Sequence, residues 1–214
     1  MKERAIYATL LEHCKKKQVT VITGMRRVGK STAVRYMLKQ LASPNYRYLD
    51  CERIEIRVLF NATNYEGIKS ELELMGLDFS LPAIIALDEI QLVENLPSVI
   101  KYFYDTYGVK FIVTGSSSYY MKNRFSESLA GRKRIFEMYP LSFSEFLSFK
   151  NLIPQGIEKY AWKPFDKAWY NRLSAAYAEY IRFGGFPEVV LEENPTDKVE
   201  LLKDIINSYI EMDV

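Results

Sequence analysis

The sequence is poor in the residues that build most metal and nucleophilic sites. Its 214 residues hold two cysteines, Cys14 and Cys51, and one histidine, His13. Two thiols cannot complete a zinc site alone, and one imidazole leaves a His-based triad or a c-type haem attachment without its parts. Long uncharged apolar runs are missing too. None approaches the ~18 residues needed to cross a bilayer, and Met1-Lys2-Glu3-Arg4 is not followed by an apolar signal stretch, so a cytoplasmic protein without membrane contact is expected. Glycine and proline are scarce, at 10 and 8 positions, which excludes collagenous and low-complexity chains. No charge of one sign dominates: 29 basic and 27 acidic residues leave +2, too little for wholesale nucleic-acid binding, although local patches stay open. With 48% apolar residues, the chain has the profile of a folded globule, and phosphate and carboxylate chemistry remain.

Hydrophobic periodicity gives the layout. Gln18 to Thr23 is a β-branched run stopping at Gly24, a buried strand entering a turn. From Lys30, Ala33, Val34, Met37, Leu38 and Leu41 form one helical face until Ser43-Pro44. Tyr46 to Cys51 is a second strand and Tyr65 to Met75 a helix. Ala83 to Leu87 is too short for a helix and apolar on both faces, as central strands of a covered parallel sheet are. Pro97 opens a helix that Gly108 ends, and Phe111 to Thr114 and Arg134 to Met138 are further strands. Strands alternating with helices predict an α/β sheet with helices on both faces over residues 1–140. After Pro140 the strands stop. Ser142 with Glu145 reads as a capping box with Leu141 stapled to Phe146, and helices follow around Trp169 to Tyr180, closing at Gly184-Gly185, and from Val199 to Val214. Residues 141–214 are therefore expected to form a small helical subdomain, with the chain continuing past Val214.

Gly24-Met25-Arg26-Arg27-Val28-Gly29-Lys30-Ser31 fits G-x-x-x-x-G-K-[ST], and it stands between a predicted strand and a predicted helix, the context this motif requires. A loop of that length wraps a phosphate with successive backbone N–H groups, and the helix N-terminus adds partial positive charge. The candidate nucleotide-binding residues are Gly24, Arg27, Val28, Gly29, Lys30, Ser31 and Thr32; Lys30 reaches the β and γ oxygens, and the Ser31 hydroxyl coordinates Mg²⁺. The competing reading is a glycine-containing turn with a surface lysine.

Asp88 and Glu89 leave the Ile84-Ile85-Ala86-Leu87 strand at its C-terminal end, where ligands of open α/β sheets sit. Asp88 is expected to hold Mg²⁺ through water, and Glu89 to orient and deprotonate the attacking water. An acidic turn that only caps a strand is the alternative. The strand Phe111 to Thr114 runs on into Gly115-Ser116-Ser117-Ser118 at the same rim, and Ser116, with Thr114 as second choice, is the candidate sensor of the γ-phosphate or of the lytic water. Helix capping by Ser117 or Ser118 would account for the same serines. Arg26 and Arg27 can turn outward to nucleic acid, a partner subunit or an acidic surface. Lys15-Lys16-Lys17 reads as a solvated face, and the 16 tyrosines and 12 phenylalanines as packing rather than base stacking.

Together with Leu87-Asp88-Glu89-Ile90-Gln91, Thr114-Gly115-Ser116-Ser117, Leu129-Ala130-Gly131-Arg132, Tyr139-Pro140-Leu141-Ser142-Phe143-Ser144-Glu145-Phe146 and Phe183-Gly184-Gly185-Phe186-Pro187, the loop resembles the prokaryotic AAA-type P-loop ATPases that carry a C-terminal domain of uncharacterised function. The resemblance spans nearly the whole chain. It implies strand order 5-1-4-3-2, a helical lid after Pro140, ATP and ADP as ligands with Mg²⁺, and a continuation holding an effector or DNA-interacting domain, with nucleic acid, protein or further copies of the chain as partners. It further implies that Arg132 stabilises transition-state charge, in cis or on a neighbouring subunit, and that Pro187 packs on adenine, with Arg182 a candidate second sensor. The plainer alternatives are a solvated charge run at Arg132-Lys133-Arg134 and a helix stop at Gly184-Gly185.

The expected activity is Mg-dependent ATP hydrolysis driving a conformational switch. A P-loop kinase transferring phosphate to a small molecule and a slowly hydrolysing, nucleotide-dependent regulatory DNA-binding module are the competing readings. The adjacent Asp88-Glu89 pair favours water activation, the absence of Asn-Lys-x-Asp disfavours GTPases, and the transporter signature Leu-Ser-Gly-Gly-Gln does not occur.

Overall fold

The computed structural model describes residues 2–116, 129–153 and 166–210. The chain divides into two compact units, one of Ile6–Met25 and Lys30–Met138, the other of Met1–Ala5, Arg26–Gly29 and Tyr139–Val214. Ser117 and Ser118, the alternative capping serines, lie outside the described residues.

The first unit is a parallel sheet of β1 (Val19–Gly24), β2 (Tyr46–Asp50), β3 (Ile84–Asp88), β4 (Lys110–Gly115) and β5 (Lys133–Met138). Their order is β2-β3-β4-β1-β5, the 5-1-4-3-2 arrangement of a P-loop α/β fold. The most apolar strands take the centre, because only there are both faces covered. Period-two alternation then sorts the side chains. Val19, Val21, Ile85, Leu87, Phe111 and Val113 enter one core with Ile56 and Phe60 of α3 (Ile54–Asn61), Ile68 and Leu72 of α4 (Tyr65–Leu74), and Val99 and Phe103 of α5 (Leu96–Thr106). On the opposite face the hydroxyl of Thr20 meets His13 of α1 (Ile6–Cys14) at 2.9 Å, and α2 (Lys30–Leu41) buries Ala33, Val34, Met37 and Leu38. Asn64 caps α4 by accepting the Gly67 N–H at 3.1 Å, and Gly108, at φ +65°, follows the end of α5.

The second unit is helical in its described part: α6 (Phe143–Phe149), α7 (Lys167–Phe183), α8 (Pro187–Leu191) and α9 (Pro195–Ile210). The expected capping box is present, with Ser142 accepting the Glu145 N–H at 3.3 Å and Glu145 accepting the Ser142 N–H at 2.9 Å. Leu141 and Phe146 share a small core with Leu147, Phe149, Ala176 and Val190. Gly184 closes α7. Gly185 instead lets two backbones meet, since the Leu141 N–H donates to its carbonyl at 2.6 Å and a Cβ on Gly185 would stand 2.3 Å from the Leu141 oxygen. None of the described helices is long and apolar enough to cross a membrane.

A buried arginine ties this unit together. Arg4 donates to both oxygens of Glu145 at 2.8 and 3.1 Å, to the Tyr139 carbonyl at 2.9 Å and to the Val28 carbonyl at 3.1 Å. Burial works to raise the Glu145 pKa, but the Arg4 guanidinium and the Ser142 and Ala5 N–H groups outweigh it and hold the carboxyl below its usual range. Arg4→Ala is therefore expected to cost about 3–5 kcal/mol at neutral pH, because it strands a buried carboxylate. The paired Glu145 contributes stability that is present at neutral pH and lost as pH falls through its depressed pKa, whereas a stranded carboxylate is relieved by protonation. Urea titrations from about pH 7 down to about pH 4 should show the gap between the two proteins narrowing; a gap that widens would contradict the pairing.

Candidate functional site

The strand registers bring three C-terminal ends to one rim of the first unit. Ile22 of β1 lies beside Thr114 of β4, and Leu87 of β3 beside Val113, so Asp88 comes level with Thr114 and β1 ends at Gly24 two residues beyond them on the same rim. After Gly24 the chain turns through left-handed conformations at Arg27 (φ +61°) and Gly29 (φ +95°) before α2 begins at Lys30. Gly29 takes that dihedral freely, whereas an L-residue such as Arg27 sits there at a cost of about 1–2 kcal/mol. Gly24 is required for a different reason than phosphate approach, since a Cβ there would stand 2.1 Å from the carbonyl oxygen of Met138 on β5.

Lys30 folds back over this turn. Its Nζ donates to the carbonyls of Gly24 at 3.1 Å and Met25 at 2.9 Å, is 3.8 Å from Glu89 Oε1, and its side chain is 4% exposed. Ser31, half-buried, and Thr32, exposed, follow in the first turn of α2, where backbone N–H groups lack intrahelical acceptors. No acidic residue occupies that turn, so the positive end of the helix dipole is left uncompensated by its own side chains.

The acidic pair is held by a hydroxyl that faces both ways. Thr114, fully buried, donates to Asp88 Oδ1 in a short hydrogen bond and accepts the Glu89 N–H at 3.1 Å. Tyr48 of β2 donates to Asp88 Oδ2, also in a short bond. Burial, reinforced by the Asp88 carboxylate, pushes the Tyr48 phenol well above its ordinary range, so it stays a donor at any working pH. Cys51 is pushed up to about 12 by burial and by Asp50, Asp88 and Glu89, which leaves it an inert thiol. Glu89 itself is left-handed, at φ 52° and ψ 50°. Its Oε2 accepts from Gln91 Nε2 at 2.6 Å and from Ser116 Oγ at 3.0 Å.

The structure thus brings Gly24, Lys30, Asp88, Glu89, Thr114 and Ser116 to one place. Arg132 is not among them. It precedes β5 at the end of the sheet opposite the loop, where its carbonyl accepts the Val19 N–H, and its guanidinium grips Asp105 of α5 at 3.0 and 3.2 Å. Six strand residues of about 3.3 Å each separate that position from the loop end of β5, so the Arg132 side chain does not reach the loop. Pro187 is the first residue of α8 in the second unit. Within that unit, Glu188 is 3.8 Å from Arg27, and the Tyr209 hydroxyl of α9 accepts the Arg26 N–H at 2.5 Å. Arg182 lies with its guanidinium over the Phe183 ring, 5.1 Å from the centroid. Sequence reasoning overlooked Tyr48, Gln91, Arg4 and Tyr209. No sequence signal marked Tyr48, which lies diagonally across from Asp88 only because Asp50 pairs with Asp88 in the sheet.

A family model described as "AAA domain" matches residues 16–147, more than half of the chain and the whole of the rim just described. A protein of Haemophilus influenzae is 31% identical over 202 residues, covering 92% of this chain and 46% of that one. Protein MJ1544 of Methanocaldococcus jannaschii is 30% identical over 198 residues, covering 92% and 42%. Both bear the description "Uncharacterized protein", and the chain spans less than half the length of these curated relatives. Among solved structures, the Walker-type ATPase PABY2304 of Pyrococcus abyssi superimposes with a TM-score of 0.64 at 16% identity, over 99% of this chain and 75% of that one. PCH-2 of C. elegans does so at 0.56 and 11%, over 96% and 67%. At such identities these two likenesses establish the fold.

The double role of Thr114 can be tested by stability. Thr114→Val keeps the shape but leaves Asp88 Oδ1 and the Glu89 N–H each short of a partner, so a loss of about 2–4 kcal/mol is expected from two unsatisfied buried groups. Tyr48→Phe removes one partner at a half-buried position and should cost less. Chemical denaturation of both variants checks the order, and equal costs would deny Thr114 its second bond.

Proposed function

The chain belongs to the AAA-domain family of P-loop nucleotide-binding proteins, and from that premise we propose that it is a magnesium-dependent ATPase whose nucleotide state sets a partner contact. The observation that carries this reading is the facing of Lys30 and Glu89 at 3.8 Å, a cation from the phosphate loop against a carboxylate from a neighbouring strand. The two need each other only while the loop holds no anion. When a triphosphate occupies the loop, Lys30 leaves the Gly24 and Met25 carbonyls for the β and γ oxygens, and Glu89 is released to act on water.

In this reading the N–H groups of Arg27, Val28, Gly29, Lys30, Ser31 and Thr32 cradle the phosphates. Ser31 and Asp88 hold the metal. They are hard oxygen donors, and no group of three or more His, Cys, Asp or Glu side chains able to hold an ion occurs among the described residues. That donor set fits magnesium, which keeps several waters and takes its other ligands from substrate phosphates. With Tyr48 and Thr114 each donating to one Asp88 oxygen, the lone pairs that remain would accept from a water bound to the ion. Bound there, the ion neutralises charge on the β and γ oxygens. Glu89 orients the attacking water and accepts its proton, Ser116 senses the state of that carboxylate, and Pro187 packs on the adenine.

The loop tip Arg26–Gly29 is gripped by Arg4, Glu188 and Tyr209 of the helical unit to which it belongs. Phosphates in the loop therefore act on the helical unit at its own contacts, which is the switch.

Lys30→Ala is expected to abolish ATP binding by calorimetry, while Glu89→Gln keeps it and lowers phosphate release by about 10²–10⁴-fold, the usual worth of a general base. Equal loss of binding in both would contradict the division of roles. Phosphate release should proceed without any acceptor molecule; a strict need for one would make the protein a kinase.

A further inference from the structure

Gln91 sits on the single 3₁₀ turn Ile90–Leu92 that follows Glu89. Its Nε2 donates to Glu89 Oε2 at 2.6 Å and to Ser116 Oγ at 2.9 Å, and Ser116 donates to the same Glu89 oxygen at 3.0 Å. The three side chains close a ring around one carboxylate oxygen. The amide can sit only this way round, because flipping it would press Gln91 Oε1 against an ionised oxygen 2.6 Å away. The consequence is that Gln91 Oε1 is buried and has no hydrogen-bond partner among the described residues.

A buried carbonyl oxygen without a partner costs about 1–3 kcal/mol, and the left-handed backbone at Glu89 about 1–2 kcal/mol more. Both costs fall within three residues of the same carboxylate. A side chain placed at 91 only to fill space would be a leucine or methionine, which carries no idle acceptor. What glutamine adds is the pair of N–H donors, and the carboxylate and the serine that steadies it take them.

On the reading of Glu89 as the base of an ATPase, we propose that Gln91 is a positioning residue for that reaction. With Oε2 accepting from both Gln91 and Ser116, the lone pairs left open are those of Oε1, the oxygen that faces Lys30 at 3.8 Å. The proton taken from water is received at Oε1, and the ring prevents the carboxylate from rotating to offer its occupied oxygen instead. Gln91 touches neither nucleotide nor water; it acts through Glu89.

The test is steady-state phosphate release from the unsubstituted chain, Gln91→Met, Gln91→Asn, Glu89→Gln and the double variant Gln91→Met with Glu89→Gln. Gln91→Met keeps length and volume without the donors, and Gln91→Asn keeps the amide but withdraws it by one methylene, so that one variant serves if the other fails to fold. Each is expected to lower kcat by about 10–100-fold, the cost of a base misplaced by a fraction of its length. KM for ATP should stay within about twofold, because no ground-state contact to nucleotide is lost. Glu89→Gln should turn over no faster than the double variant, as two residues acting through one group are not additive. A further drop in the double variant would give Gln91 a direct role and overturn the proposal, as would unchanged or increased kcat in both single variants while the unsubstituted chain is active. If the unsubstituted chain releases no phosphate, the hydrolytic reading itself falls, and the role of Gln91 with it.

Discussion

The site depends on parallel pairing in register. Because β3 and β1 both run alongside β4 in the same direction, with Leu87 beside Val113 and Ile22 beside Thr114, three segments end at one rim, Asp88 level with Thr114 and Gly24 two residues beyond. A slip of one residue in β3 would turn Asp88 to the opposite face and part it from Thr114. The apolar character of Ile84 to Leu87 and Phe111 to Val113 fixes that register, since both faces of each strand are buried and every alternative would expose a different set. Core packing and site geometry are thus set by the same pairing.

Charge at the rim is kept in balance by neighbours rather than by solvent. Lys30 and Asp88 are both nearly inaccessible, and a buried charge is tolerable only when paired and hydrogen-bonded. Lys30 has two carbonyls and Glu89; Asp88 has two hydroxyls; Glu89 has an amide, a hydroxyl and Lys30. Each anion has neutral donors that can share it with a metal or a water. The Gly24 and Met25 contacts of Lys30 are to carbonyl oxygens. The buried charges of the rim are therefore met by fixed protein groups.

Much of this was legible in the sequence because it lies in local pattern. The five strands, α2, the capping box at Ser142 and the stop at Gly184 each carry a run, a period or a turn residue with one meaning. The elements that escaped carry weak signals. Residues Ile54–Asn61 form a helix that buries Ile56 and Phe60 yet exposes Ile54 and Val58, so no apolar face stands out, and its N-cap Arg53 makes no side-chain cap. The site residues divide similarly. Gly24, Lys30, Asp88 and Glu89 belong to motifs, whereas Tyr48 and Arg4 matter through partners 40 and 141 residues away. For Arg132 the plainer sequence reading, a charge run beside an edge strand, suits its pairing with Asp105 better than a place among the phosphate contacts does.

The loop tip explains why an arginine stands where a left-handed backbone would favour glycine. Arg27, at φ +61°, uses its side chain for Glu188, and its neighbours use their backbones: Arg26 gives its N–H to Tyr209 and Val28 gives its carbonyl to Arg4. A glycine would relieve the strain and lose the ion pair. The pair is partly exposed, and such pairs are worth about 0–1 kcal/mol, less than the backbone cost. Stability alone therefore does not account for Arg27. What Arg27 adds is a link from the turn to Glu188 near the start of α8. Tyr209 likewise reaches the turn, its hydroxyl accepting the Arg26 N–H. The tip is thus held by a carbonyl, an amide and a side chain at once, three separate links that a glycine at 27 would reduce to two.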